Sequence, residues 1–170
     1  MEKQAESWKS KLTKIKVFVF DIDGVITDGK VYVMPDGQLT RTINTKDGMA
    51  LKHAVKKGYK VAVISGGNSG SIKDRLAYLG ITDVFLKKDD KLPVFEQYLK
   101  DHNMKADETL YMGDDIFDIP VLKRAGLACA PSDAAWEVLQ VAEFISSKKG
   151  GEGAVREIIE QVLRARGDWF

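Results

Sequence analysis

"VFVFDIDGVITDG", residues 17–29, sets four consecutive apolar residues against two aspartates one position apart. Val17, Phe18, Val19 and Phe20 have the β-branched and aromatic character of a strand covered on both faces. Asp21 and Asp23 follow at once, and Gly24 frees the backbone for a tight turn toward a ligand. A strand that only filled a core would gain nothing from carboxylates at its end. This one reads as a strand that delivers acids to a site.

The rest of the chain repeats the pattern. "YKVAVISGG" runs from core residues into Ser65, Gly66 and Gly67, and "ETLYMGDD" runs into Gly113, Asp114 and Asp115. Between these lie helical stretches of about ten residues with one apolar side, such as "DGMALKHAVKKG" and "KLPVFEQYLKDHN". Short apolar strands alternating with such helices predict βα crossovers. The fold class is α/β: three layers, a Rossmann-like and mostly parallel sheet with helices on both faces. "PDG" at 35–37 predicts a β-hairpin over residues 30–43. Residues 1–14 read as a short helical lead-in. Residues 150–170 read as a C-terminal helix and tail led by flexible glycines at 150, 151 and 153, within one domain spanning 1–170.

Composition narrows the function. The chain has 170 residues, 44% of them hydrophobic and 30% charged, with a formal net charge of +1. No basic cluster is interleaved with aromatics, which argues against nucleic acid as a partner. No apolar run approaches bilayer length, which argues against a membrane. The polar start carries no signal-peptide pattern, and the one cysteine, Cys129, has no internal partner. Cytoplasmic localisation is the expectation.

In open parallel sheets, ligands sit beyond the carboxyl ends of the strands. There the pattern collects Asp21, Asp23, Ser65, Asp114, Asp115 and Asp118, with Lys91 opening a later helix. Carboxylates in such number raise one another's pKa unless a cation joins them. Mg²⁺ fits, being a hard ion that takes oxygen ligands. Asp21 and Asp114 are the best side-chain ligands, with the backbone carbonyl of Asp23 as a third. The metal, Lys91, Ser65 and backbone N–H groups would then share the oxygens of a phosphate. Asp21 is the candidate nucleophile on phosphorus. On an extended strand Asp23 would lie on the same side, placed to act as acid and then as base.

"DIDGVITDG", "VISGG", the Asp90-Lys91 pair and "GDDIFDIP" together resemble the four motifs of the haloacid dehalogenase-like phosphatases. "NTKDGMALKHAVKKG" and "KKGGEGAVREIIEQVL" are similar to the subgroup acting on 3-deoxy-D-manno-octulosonate 8-phosphate. The resemblance implies a phosphorylated sugar acid as the small-molecule partner and Mg²⁺ as cofactor. It implies Asp115 or Asp118 behind the metal ligands. It also implies a homotetramer without a mobile cap domain, in which the hairpin covers a neighbouring subunit's site. The spacing agrees, because neither insertion between the motifs is long enough for a lid. Two departures leave a nine-carbon sugar acid phosphate open. Ser65-Gly66-Gly67 stands where many relatives have Thr-Gly-Arg, and Leu86-Lys87-Lys88 where they have Gln-Gly. Candidate contacts to the organic half are Gly66, Gly67, Asn68, Thr27, Thr45, Arg75 and Arg156, the two arginines as bidentate partners of a carboxylate. A scaffold that binds phosphosugar without turnover would not need Asp21 and Asp23 together.

Overall fold

The computed structural model describes residues 7–170. The first described element is α1 (Trp8–Lys11), and the first six residues of the expected lead-in lie outside the described residues. The main sheet is built from β1 (Val17–Phe20), β4 (Lys60–Ile64), β5 (Asp83–Phe85), β6 (Thr109–Met112), β7 (Leu127–Ala130) and β8 (Phe144–Ile145). Its order is β5-β4-β1-β6-β7-β8, and every neighbouring pair is parallel. A two-stranded antiparallel hairpin, β2 (Tyr32–Val33) with β3 (Leu39–Thr40), stands apart.

Six helices follow α1: α2 (Thr45–Lys56), α3 (Gly70–Tyr78), α4 (Lys91–Asp101), α5 (Ile119–Leu122), α6 (Trp136–Leu139) and α7 (Ala154–Arg166). The period-two alternation of β1 assigns them to the two faces. Phe18 and Phe20 join a core with Leu51, Leu76, Ile158 and Val162, which brings α2, α3 and α7 to one face. Val17 and Val19 join a core with Phe95, Tyr98, Val121 and Val138, which brings α4, α5 and α6 to the other. Side chains of this size contribute about 1.5–3 kcal/mol each when fully buried. Opposed apolar faces on one short strand therefore hold both helical layers. Among the described residues no helix is long and apolar enough to cross a membrane.

Register places the site. Phe20 pairs with Val63 on one side and Met112 on the other, so the central strands end almost level. Asp21, Ser65 and Gly113 leave them side by side.

The hairpin turns where "PDG" predicts, with Gly37 at φ 82° and Met34 N–H bonded to the Gln38 carbonyl at 2.8 Å. Its strands are shorter than 30–43 suggests and are exposed, Val33 at 75%. The stretch after Asp115 is a 3₁₀ turn (Ile116–Asp118) followed by α5.

The C-terminal glycines correct the expectation of a flexible lead. Gly150 and Gly151 press on the loop after β1, and Gly151 N–H bonds the Val25 carbonyl at 3.0 Å. A Cβ on Gly150 would overlap the Gly24 carbonyl. The cap of α7 is also tertiary. Its N-cap, Gly153, has no side chain, and Asp47 of α2 accepts the Arg156 N–H at 2.8 Å instead. Overpacking against backbone costs about 1–3 kcal/mol. Gly150→Ala is therefore expected to lower unfolding stability by that amount in urea titration, and to lower activity with it. An unchanged midpoint would show that the contact carries no strain.

Candidate active site

Strand β1 ends as the Asp21 N–H bonds the Met112 carbonyl at 3.1 Å. The chain then turns rather than continuing extended. Residues 22–26 form a tight loop closed by Thr27 N–H on the Ile22 carbonyl at 3.0 Å. Gly24 sits at φ 84°, a conformation that suits glycine. Asp21 and Asp23 still reach one cavity, but the turn brings them there, not the strand pleat invoked above.

That cavity has a volume of about 290 Å³. Asp21, Asp23, Ser65, Gly66, Gly67, Lys91, Asp114, Asp115 and Asp118 all line it. These residues come from four separate stretches of chain.

Lys91, the first residue of α4, is the hub. It is 4% exposed, and its Nζ lies 2.8 Å from Asp21 Oδ2 and 2.7 Å from Asp118 Oδ1. Burial pulls its pKa down, but the two carboxylates outweigh burial and hold it above the ordinary lysine value. Asp118, 1% exposed, also accepts from Tyr111 Oη at 2.5 Å and from the Asp114 and Asp115 N–H groups at 2.9 and 3.2 Å. With four donors on two oxygens, Asp118 orients Lys91 and the loop after β6. Asp115 is exposed and caps the following turn through the Ile116 N–H at 2.7 Å.

The acids have room for a cation. Carboxylate oxygens of Asp21, Asp114 and Asp118 lie within 4.8 Å of one another. Asp118 is already satisfied, but Asp114 Oδ1 is buried with no hydrogen-bond partner among the described residues. A buried carboxylate oxygen without a donor is costly, and a hard cation would relieve it. Gly24 lets Asp114 approach, since a side chain there would overlap the carboxylate. Burial first, then Asp21, raises Asp114 to about 8. Burial and Asp118 raise Asp21 to about 6 against the opposing pull of Lys91. The donor set fits Mg²⁺ with Asp21 and Asp114 as side-chain ligands.

Ser65 is buried, and its Oγ accepts the Gly67 N–H at 3.2 Å, which shapes the loop after β4. Among the contacts expected for the organic half, Thr27 is buried behind the cavity with Oγ1 3.4 Å from Asp23 Oδ1. Asn68 is exposed and is not among the lining residues. Arg75 lies over the Tyr78 ring at 5.2 Å. Thr45 and Arg156 line a different cavity, with Asn44, Lys46 and Lys148. Within this chain, Arg75 and Arg156 do not reach the acids.

Sequence reasoning missed three residues. Asp89 and Phe117 line the cavity. Arg41, just after β3, pairs with Asp23 through Nε–Oδ1 at 2.6 Å and Nη2–Oδ2 at 3.1 Å. No local pattern marks Arg41, because the pair forms only when the hairpin folds back over the loop after β1.

A parallel sheet with paired acids, a hydroxyl and a buried lysine at its carboxyl end defines a phosphoryl-handling hydrolase site. The chain belongs to the haloacid dehalogenase-like hydrolases. The model of that family matches residues 77–159. The chain is 33% identical over 158 residues to the 3-deoxy-D-manno-octulosonate 8-phosphate phosphatase KdsC of Escherichia coli K12, covering 93% of this chain and 84% of that one. It superposes on the Yersinia pestis phosphatase of the same name with a TM-score of 0.93 at 31% identity, over 96% of this chain and 89% of that one. The Moraxella catarrhalis phosphatase, solved with a magnesium ion, a phosphate ion and a KDO molecule, matches with a TM-score of 0.90 at 30% identity, over 93% and 91%.

The raised carboxyls carry a pH signature. An unfolded aspartate titrates near 4, whereas Asp21 and Asp114 stand at about 6 and about 8. Between those values the folded state holds protons that the unfolded state has released, so stability falls as pH rises. This contribution is complete below about pH 4 and lost by about pH 8. In chelator, the melting temperature is expected to fall from about pH 5 to about pH 8.5. Mg²⁺ at a hundred times its dissociation constant should add about 2.7 kcal/mol, or about 5–10 °C, at the higher pH and far less at the lower. Identical melts with and without Mg²⁺ at the higher pH would refute the metal assignment.

Proposed function

We propose that this chain is a magnesium-dependent phosphatase that hydrolyses 3-deoxy-D-manno-octulosonate 8-phosphate to the free sugar acid and phosphate, through an aspartyl-phosphate on Asp21. The observation that carries this reading is the convergence of Asp21, Lys91, Asp118 and the unpartnered Asp114 oxygen in one cavity. The similarity to phosphatases of that name supports the substrate.

Asp21 attacks phosphorus with a carboxylate oxygen as the bond from phosphorus to the sugar oxygen breaks. Asp23 protonates the departing oxygen, then takes a proton from the water that attacks the phosphoaspartate, which restores Asp21. The Lys91 ammonium lies against Asp21 and balances the charge that gathers on the phosphoryl oxygens. The Ser65 hydroxyl and the backbone N–H of Gly66 border the same space and offer donors to those oxygens, while the Gly67 N–H holds the Ser65 oxygen in place. Asp118 holds Lys91 in place. When bound by Asp21, Asp114 and the Asp23 carbonyl, Mg²⁺ supplies further neutralisation of the phosphoryl oxygens.

The site is open on one side in a single chain, since no further domain covers the strand ends among the described residues. The exposed Tyr32, Val33 and Leu39 of the hairpin support assembly into a homotetramer in which the hairpin shields a neighbour's site. Phosphosugar hydrolysis of this kind is compatible with a cytoplasmic enzyme.

The test compares phosphate release from the eight-carbon acid, a nine-carbon sugar acid phosphate and hexose phosphates, each with Mg²⁺. Strong preference for the eight-carbon acid is expected, and equal turnover of hexose phosphates would overturn the substrate. Asp21→Asn should cut kcat by more than about a thousandfold, and chelation should abolish turnover. Retention of activity by Asp21→Asn would remove the covalent step.

A further inference from the structure

The proposed reaction asks Asp23 to donate a proton, yet neither of its carboxylate oxygens is free. Oδ1 accepts from Arg41 Nε at 2.6 Å and lies 3.4 Å from Thr27 Oγ1, whose single proton it shares with the Ile22 carbonyl at 3.4 Å. Among the described residues, Oδ2 accepts only from Arg41 Nη2, at 3.1 Å. The two oxygens also face different surroundings. Oδ2 lies toward the cavity, 3.2 Å from where a Cβ on Gly67 would stand, with Ser65 Oγ 3.6 Å from the same point. Oδ1 points back to Thr27, which is buried. The Arg41 side chain is 5% exposed, and its Nη1 is buried without a partner. An arginine that deeply set has few alternative rotamers, so it constrains whatever it grips.

We propose that Arg41 is a positioning residue for leaving-group protonation: together with Thr27 it anchors Asp23 by Oδ1 and leaves Oδ2 as the oxygen that carries the proton. In the step, the proton on Oδ2 passes to the bridging oxygen as its bond to phosphorus breaks and the bond from Asp21 to phosphorus forms. The sugar departs as the alcohol, and Asp23 is left as the carboxylate. Only the longer bond, from Nη2, must be released for this. The short Nε bond keeps the carboxyl plane aimed throughout. The two halves of the Arg41 fork thus have different tasks, one holding and one yielding.

This inference rests on the reading of Asp23 as the general acid. Its test uses substrates that differ in their need for that acid. A sugar phosphate leaves as an alkoxide unless protonated, whereas p-nitrophenyl phosphate releases a stable phenolate. The readout is the ratio of kcat/KM for 3-deoxy-D-manno-octulosonate 8-phosphate to kcat/KM for p-nitrophenyl phosphate, both with Mg²⁺. Because kcat/KM ends at the first irreversible step, it reports departure of the leaving group. Because it is a ratio within one preparation, a partly unfolded variant does not distort it.

A positioned acid contributes roughly 10²–10⁴-fold. Arg41→Met is expected to lower the ratio about tenfold to a hundredfold, Arg41→Lys to recover part of it, and Thr27→Val to lower it less. Asp23→Asn is the control and should lower the ratio furthest. If Asp23→Asn shifts the ratio while Arg41→Met and Thr27→Val do not, the positioning role is wrong and the acid stands. If Asp23→Asn leaves the ratio unchanged, the reading of Asp23 fails and the inference fails with it. Equal loss on both substrates in Arg41→Met would mark a purely structural residue and also overturn it.

Discussion

Lys91 holds the site together. Its ammonium sits between Asp21 and Asp118 with almost no access to water. Removing one partner of such a buried arrangement leaves an uncompensated charge and costs about 3–5 kcal/mol. The lysine is therefore a structural tie. It ties the start of α4 to the loop after β1 and, through Asp118, to the loop after β6. The Tyr111 hydroxyl and two backbone N–H groups complete the shell around Asp118. Asp21 is thus aimed from outside its own loop.

Burial and the neighbouring acids weigh most on Asp114. One of its oxygens is buried without a donor, and its carboxyl is pushed up to about 8. The fold keeps this acid where it is least comfortable without a cation. Two glycines permit it: Gly24 yields to the Asp114 carboxylate, and Gly113 yields to Asp118. Close approach, more than loop flexibility, explains why small residues stand there.

A second framework links the tail to the same loop. Asp47 of α2 receives the N-terminus of α7, and Gly150 and Gly151 press on residues 24–28. The C-terminal helix thereby buttresses the loop carrying Asp23 without entering the cavity. Glycines that read in the sequence as a flexible lead are fixed contact points, because the carbonyls they meet leave no space for a side chain.

The sequence by itself determined the layered architecture and the acids. Apolar runs of strand length, each followed by polar residues, are a local pattern, and a parallel sheet must bring the ends of such runs to one edge. Asp21, Asp23, Ser65, Lys91 and Asp114 were legible for that reason. Arg41 on Asp23, Asp47 under α7 and Asp89 and Phe117 at the cavity wall were not. Arg41 and Asp47 depend on how an insertion and a distant helix fold back, a path nothing in neighbouring residues encodes, whereas Asp89 and Phe117 sit beside Lys91 and Asp118 and only the cavity wall singles them out. Tertiary structure alone also decided that Thr45 and Arg156 line a separate cavity. Their distance from the acids is set by the packing of α2 against α7, a contact between segments a hundred residues apart whose geometry no local periodicity carries.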